Sequence, residues 1–318
     1  MNRKYSQIIA IVLSFLSTMA IAGVNEGLTA LAKGNFPSAL REFAPLADQG
    51  NATAQYNLGI MYAEGKGVAQ DYEMAMTWLK KAAEQNHAGA LNNLGVMYQN
   101  GIGVNQNYDL AMMWFNRAVR QGDTTAKTNL AAMYENGQGV KQDIVEAVKL
   151  YREAATEKNI YALYNLGVLY YKGLGVKQDF AQSVLLLREA ADRGLAEAQG
   201  NLGLMYQTGR GVPQDYAEAI KLYRKAADQN DTGGLYNLGA MYFSGKGVPT
   251  NDVIAYALLS MVVKDTSEKI ENARLRIAQS MTPAQINAAG LLKNDILKTK
   301  SVTKSIDAYL KKSMVSKM

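Results

Sequence analysis

Cysteine is absent from all 318 residues, which excludes a disulfide framework, a thiolate metal site and a lipid anchor attached through a thiol. A chain of this length can bury enough apolar surface to manage without such staples. Histidine occurs once, at His87, so a triad or zinc cluster would have to be assembled around a single imidazole. Basic charge is missing from the middle of the chain. The formal net charge is +6, but Arg3 and Lys4 lie at the N-terminus and residues 293–318 carry seven lysines against Asp295 and Asp307, which leaves the remainder near −1. Without a basic stripe there is no electrostatic footprint for a nucleic-acid groove. No long hydrophobic run is present either. The apolar segment from Ile8 to Leu16 contains Ser14, is followed by Ser17 and Thr18, and is shorter than the roughly 20 residues that span a bilayer.

That short segment has another reading. Arg3 and Lys4 precede it and Ala20-Ile21-Ala22 follows it, the order of a secretory signal peptide. Residues 1–22 are therefore expected to be a leader cut before Gly23, and the rest a protein of a bacterial periplasm or beyond.

What the sequence has in abundance is repetition. Tyr62, Tyr98, Tyr134, Tyr170, Tyr206 and Tyr242 stand 36 residues apart, each inside a copy of Asn-Leu-Gly-x-Met-Tyr-x-x-Gly-x-Gly-Val. A period of this size marks a solenoid, one supersecondary unit stacked so that neighbours complete each other's core. Each unit reads as two helices. The first carries Ala54, Leu58 and Tyr62 on one face and ends at Gly65-x-Gly67-Val68, where glycine supplies a left-handed C-terminal turn. The second opens at Asp71, Asn107, Asp143, Asp179, Asp215 or Asn251, side chains suited to capping. Asp143 with Glu146 and Asp215 with Glu218 are spaced as capping boxes. Ala75, Trp78, Leu79, Ala82 and Ala83 form the buried stripe of the second helix. Trp78 and Trp114 give way to Leu150, Leu186, Leu222 and Leu258 in later copies, which marks a core position and not an aromatic cofactor box.

Leu-Gly-x-Met-Tyr, Gly-x-Gly-Val-x-Gln-Asp and Lys-Ala-Ala, repeated in phase, resemble the Sel1-like repeat family, a relative of the tetratricopeptide repeat, over about Asn51 to Thr266. Ala131, Ser183 and Asp252 depart from the pattern without breaking its register. The resemblance implies an all-α fold, a right-handed α/α superhelical solenoid whose concave face is built by the first helices. Residues 23–50 are expected to be a tetratricopeptide-like capping hairpin, with Ala39, Phe43 and Ala47 in register with the later second helices. Residues 51–266 are six repeats. Residues 267–298 are capping helices, the last opened by the box Thr282-Pro283-Ala284-Gln285, and residues 299–318 are a lysine-rich tail expected to be solvated disorder, capable at most of weak contact with an anionic surface.

Catalytic groups are thin. Ser301-Val302-Thr303-Lys304 matches the nucleophile motif of penicillin-recognising enzymes, but no Ser-Asp-Asn or Lys-Thr-Gly accompanies it. The Gly-x-Gly pairs lack the Gly-Lys-Ser/Thr of a phosphate loop. No catalytic residue, metal ligand or cofactor is expected, and the chain is read as non-catalytic. Instead, Asn57, Asn93, Asn129, Asn165, Asn201 and Asn237 recur on the first helix and would stack into a ladder. Such amides could pair with an extended peptide or with the adjacent repeat. Their neighbours vary from copy to copy, among them Thr53, Thr125, Tyr161 and Glu197, as selective recognition would require. The expected function is a scaffold that binds a protein or peptide on its concave face. The alternatives are a secreted factor that engages host proteins and a cell-wall hydrolase or penicillin-recognising enzyme, the latter raised by the resemblance alone.

Overall fold

The computed structural model describes residues 20–262 and 268–315, and among these all regular structure is helical. The predicted leader falls almost wholly outside the described residues. The chain divides into two compact units, residues 1–157 and 158–318. In the first, α1 runs through 20–32 and α2 is Phe36–Asp48; three hairpins follow, α3 (Ala52–Glu64) with α4 (Tyr72–Glu84), α5 (Ala88–Asn100) with α6 (Tyr108–Arg120), and α7 (Thr124–Asn136) with α8 (Ile144–Thr156). In the second, three more hairpins pair α9 (Ile160–Lys172) with α10 (Phe180–Asp192), α11 (Ala196–Thr208) with α12 (Tyr216–Asp228), and α13 (Thr232–Ser244) with α14 (Asp252–Leu259). They are closed by α15 (Glu268–Gln279), α16 (Pro283–Thr299) and α17 (Val302–Val315). Each unit is thus an α-solenoid of inner and outer helices in alternation.

The turn inside each hairpin is specified in detail. In the first repeat, Gly65 at φ 66° and Gly67 at φ 77° occupy the left-handed region, which costs other residues roughly 1–2 kcal/mol. Three of the four carbonyls left without partners at the end of α3 are satisfied. Met61 O accepts from Gly65 N and Lys66 N, Tyr62 O accepts from Asp71 N at 2.9 Å, and Ala63 O accepts from Gln70 Nε2 at 2.8 Å. The conserved spacing from glycine to Gln-Asp is therefore a carbonyl-capping device. Gln106, Gln142, Gln178 and Gln214 make the same 2.8 Å bond.

Packing follows from size alternation. Phe115, Tyr151, Leu187 and Tyr223 on the outer helices are almost completely buried. A Cβ added at Gly95 would lie 2.5 Å from the Phe115 ring, so the inner-helix glycine is a socket for the large outer residue. The stripe on α3 is Ala54, Leu58 and Met61; Tyr62 is only half-buried. Seven residues bring a helix back to the same side within about 20°, whereas eight overshoot it. Trp78 is buried and Trp114 half-buried. At the front, Ala39, Phe43 and Ala47 of α2 join Ala54, Leu58 and Met61 of α3 in one cluster.

Two local expectations need correction. Asp143 and Asp215 do cap their helices, but the boxes are half-formed, because Glu146 and Glu218 turn to Lys149 and Lys221 one turn on. Opposite charge at i+3 offers each carboxylate a partner that competes with the cap N–H. Thr282 and Gln285 do form a complete box. The lysine-rich stretch expected as a disordered tail is helical from Val302 to Val315. Val302 and Ile306 are buried, Asp228 of α12 accepts from Ser301 Oγ and Thr303 N, and Arg224 pairs with Asp307 at 2.8 Å. The lysines mask an apolar stripe at helical spacing.

Candidate functional site: the inner-helix face

The asparagine ladder recurs, but half of its rungs meet the repeat before them. Asn129 Nδ2 donates to Asn92 Oδ1 at 3.0 Å, Asn201 Nδ2 donates to Tyr164 Oη at 3.4 Å, and Asn93 hydrogen-bonds Tyr56. In each case the asparagine of one repeat meets the residue preceding the asparagine of the repeat before it. Asn57, 8% exposed, donates to Thr53 O within its own helix at 2.8 Å. Asn165 and Asn237 are half-buried and make no side-chain hydrogen bond among the described residues. The structure thus brings Thr53 to Asn57 and links Asn93 and Asn129 to the preceding repeat. Thr125, Tyr161 and Glu197 are exposed, Tyr161 at 55%.

The single histidine is structural. His87 caps α5 by accepting from Ala90 N through Nδ1 at 3.3 Å, and its ring stacks on Tyr56 with centroids 4.5 Å apart. An accepting Nδ1 must be unprotonated, and burial pushes the His87 pKa down, the Asp123 charge opposing it in part. Burial pushes the Tyr56 and Tyr164 hydroxyls and the Asp231 carboxyl up. Ser301, first residue of the Ser-x-x-Lys match, is also spent on structure: its Oγ donates to Asp228 and accepts from Lys304 N. Among the described residues no three His, Asp or Glu side chains converge as metal ligands, and no helix is long and apolar enough to cross a membrane.

Sequence reasoning missed a row of bridges at the turns between repeats. Gln85 Nε2 donates to Gly50 O and Gln55 Oε1, both at 2.9 Å, while Gln55 donates to Ala47 O. Four repeats later Gln229, Gln199, Gly194 and Ala191 repeat this arrangement. Lys127 with Glu157 fills the same positions with an ion pair at 2.9 Å. The other copies have buried Leu91, Leu163 and Leu235 at the position of Gln55. The signal was available, because Gln55 and Gln85 recur in phase as Gln199 and Gln229, but a polar residue on an inner helix reads first as solvated.

The same face carries a pocket. Between α9 and α11, an opening of about 130 Å³ is walled by Val168, Tyr171, Leu204 and Met205, with Asn201 and Lys172 at its polar edge. A second, of about 170 Å³, lies where α13 meets α15, lined by Tyr236, Ala240, Phe243, Ile277 and Arg276. Val168, Leu204 and Ala240 occupy one position of the repeat, and Tyr171 and Phe243 the position three residues further on, one turn along the inner helix.

Comparison with known families and structures agrees with this architecture. The Sel1 repeat pattern matches residues 52–87, 88–123, 124–159, 160–195, 196–231 and 233–261, and the chain belongs to the Sel1 repeat family. A Sel1 repeat protein from Oxalobacter formigenes is 28% identical, with a TM-score of 0.69 over 77% of this chain and 98% of that one. The protective antigen c5321 of uropathogenic Escherichia coli, which displays an SLR fold, is 26% identical, with a TM-score of 0.44 over 93% and 80% of the two chains. No curated protein matches. Sel1 repeat proteins are in general non-catalytic scaffolds that bind other proteins.

Proposed function

We propose that this chain is an exported, non-catalytic scaffold that holds an extended segment of another protein on the inner-helix face, the face expected to be concave in such solenoids. The observation that carries this reading is the pocket between α9 and α11, because it joins an apolar floor to the Asn201 amide and the Lys172 ammonium. Sites that recognise peptides combine pockets for side chains with polar groups for the main chain. Asn165, one turn before Val168, and Asn237, one turn before Ala240, are the asparagines with no side-chain hydrogen bond among the described residues, and they are assigned to the peptide backbone at about 0.5–1.5 kcal/mol each. Tyr161 and Glu197, in the same unit as the pocket, supply the variable contacts, and Thr125 offers the equivalent repeat position in the first unit. Asn93, Asn129 and Asn201 hold neighbouring repeats in register, and Asn57 is spent within its own helix.

Export rests on the leader-like residues 1–22, with the mature chain in the periplasm or outside the cell. N-terminal sequencing of protein recovered from the periplasmic fraction or the medium should begin at Gly23; an intact Met1 in a cytoplasmic fraction would remove this part. For the binding face, a displayed library of random peptides is selected on the purified chain. Selected peptides should lose binding when Leu204→Arg fills the pocket, and should photo-crosslink from Tyr161 but not from Lys221 on the outer helix α12. Peptides that bind the Leu204→Arg variant as well as the parent would place the working surface elsewhere.

A further inference from the structure

The charge around the two inner-face pockets points to the chemistry of the segment they take. Lys172 is the sole charged residue lining the first pocket and Arg276 the sole one lining the second. Arg210 stands beside the first pocket as well. It donates to Tyr171 Oη, and its guanidinium lies 5.5 Å from the Tyr171 ring and 5.7 Å from that of Phe180, so it is held in place over the pocket wall. Among the described residues, none of Lys172, Arg210 and Arg276 has a carboxylate partner, although seven ion pairs occur elsewhere. Along α9, α11 and α13, the inner helices around these pockets, the only acidic residues are Glu197 and the capping Asp231, at the N-terminal ends of α11 and α13. Seven residues of helix, about 10 Å, separate Glu197 from Leu204. The inner face is therefore cationic beside its pockets.

From this polarity we infer that the scaffold reads acidic-apolar protein segments, in which an aliphatic or phenyl side chain enters the pocket between α9 and α11 and an adjacent Asp or Glu carboxylate meets Lys172 and Arg210. This deepens the binding reading above and rests on it. The size agrees, since an apolar cavity of roughly 150 Å³ accepts benzene and the pocket here is about 130 Å³. The second pocket, with Arg276, offers the same pairing of apolar floor and cation to another anchor of the same segment. Arginine suits the role because its planar fork meets a carboxylate with two hydrogen bonds.

The test is a peptide-display selection on three forms of the full chain: the parent, Leu204→Arg, and the double variant Lys172→Glu with Arg210→Glu. The parent should enrich an apolar residue next to Asp or Glu, and the double variant should switch that enrichment to Lys or Arg, a reversal that mere loss of structure cannot produce. A synthetic peptide from the parent selection should bind the double variant about tenfold more weakly, and its Asp→Asn or Glu→Gln form should bind parent and variant within about twofold. Selection of apolar peptides that depend on Leu204 but have no acidic neighbour would overturn the acidic specificity while leaving the peptide-binding face intact. Selected peptides indifferent to Leu204→Arg, or no selected peptide at all, would overturn both. Circular dichroism of each variant, matched to the parent, excludes unfolding as the cause of a loss.

Discussion

The hairpin turns and the inner-helix asparagines recur equally often in the sequence, yet the structure treats them differently. Every Gly-x-Gly turn does the same thing: both glycines adopt positive φ, and in five of six copies the following glutamine caps the same carbonyl. The asparagines divide between a bond within their own helix, at Asn57, and bonds to the preceding repeat, at Asn129 and Asn201. A turn is satisfied by atoms a few residues away, so a repeated motif repeats its geometry. A side chain between repeats depends on whatever the neighbouring repeat presents, and those residues vary from Tyr56 to Asn92 to Gly200.

The turns should therefore be the less forgiving of the two. Replacing Gly103 by alanine would force a residue with Cβ into φ 69° and set that atom 2.4 Å from Tyr72 Cβ; left-handed strain and overpacking together predict a loss of about 3 kcal/mol in chemical denaturation. A smaller effect is expected at the polar bridge between repeats. Gln55→Ala leaves the buried end of Gln85 short of a partner and should cost about 1–2 kcal/mol, whereas Gln55→Leu, which copies Leu91, should cost less. If the leucine variant proves the worse, the bridge and the apolar contact are not equivalent solutions.

Within the ladder, Asn129→Ala should destabilise by about 1 kcal/mol through loss of its bond to Asn92. Asn165→Ala should leave the melting temperature unchanged and weaken peptide binding instead. Equal effects on stability would erase the distinction between structural and offered asparagines.

His87 extends the comparison to pH. Its pKa is lowered in the folded protein from an ordinary 6.5, so both states are neutral above that value and the cap contributes fully there. As pH falls below 6.5 the unfolded state takes up a proton more readily, and stability declines until the folded ring is protonated too. His87→Asn, which places the capping residue of Asn51 and Asn159 there, should remove this slope from urea-denaturation midpoints measured between pH 7 and pH 5. The smallest effect has the opposite sign. Lys158 holds φ 61° without being glycine or asparagine, and Lys158→Gly should stabilise by about 0.5–1 kcal/mol.

Much of this was legible in advance, and the pattern of successes has a physical basis. The helix boundaries at Asp71 and Gly65, the buried Trp78-Leu79 pair and the box at Thr282 all follow from contacts within a few residues. The half-formed boxes at Asp143 and Asp215 were misread because Lys149 and Lys221 compete for the same glutamates. The tail was misread because its lysines outweigh, in composition, the four apolar positions that seat α17. The stacking of His87 on Tyr56, the Gln55-Gln85 bridge and the pocket beside Lys172 were not legible, since each needs residues about 30 or more positions apart to be placed side by side.

By itself the sequence determined the repeat, its two helices, their caps and the residues that face the core, because a 36-residue period confines those choices to local backbone geometry and the burial of one apolar face. Only the tertiary structure decided which recurring polar residues are spent between repeats and which are not. Hydrogen-bond satisfaction at an interface depends on the neighbour's side chain and its distance, and neither is written in the residue itself.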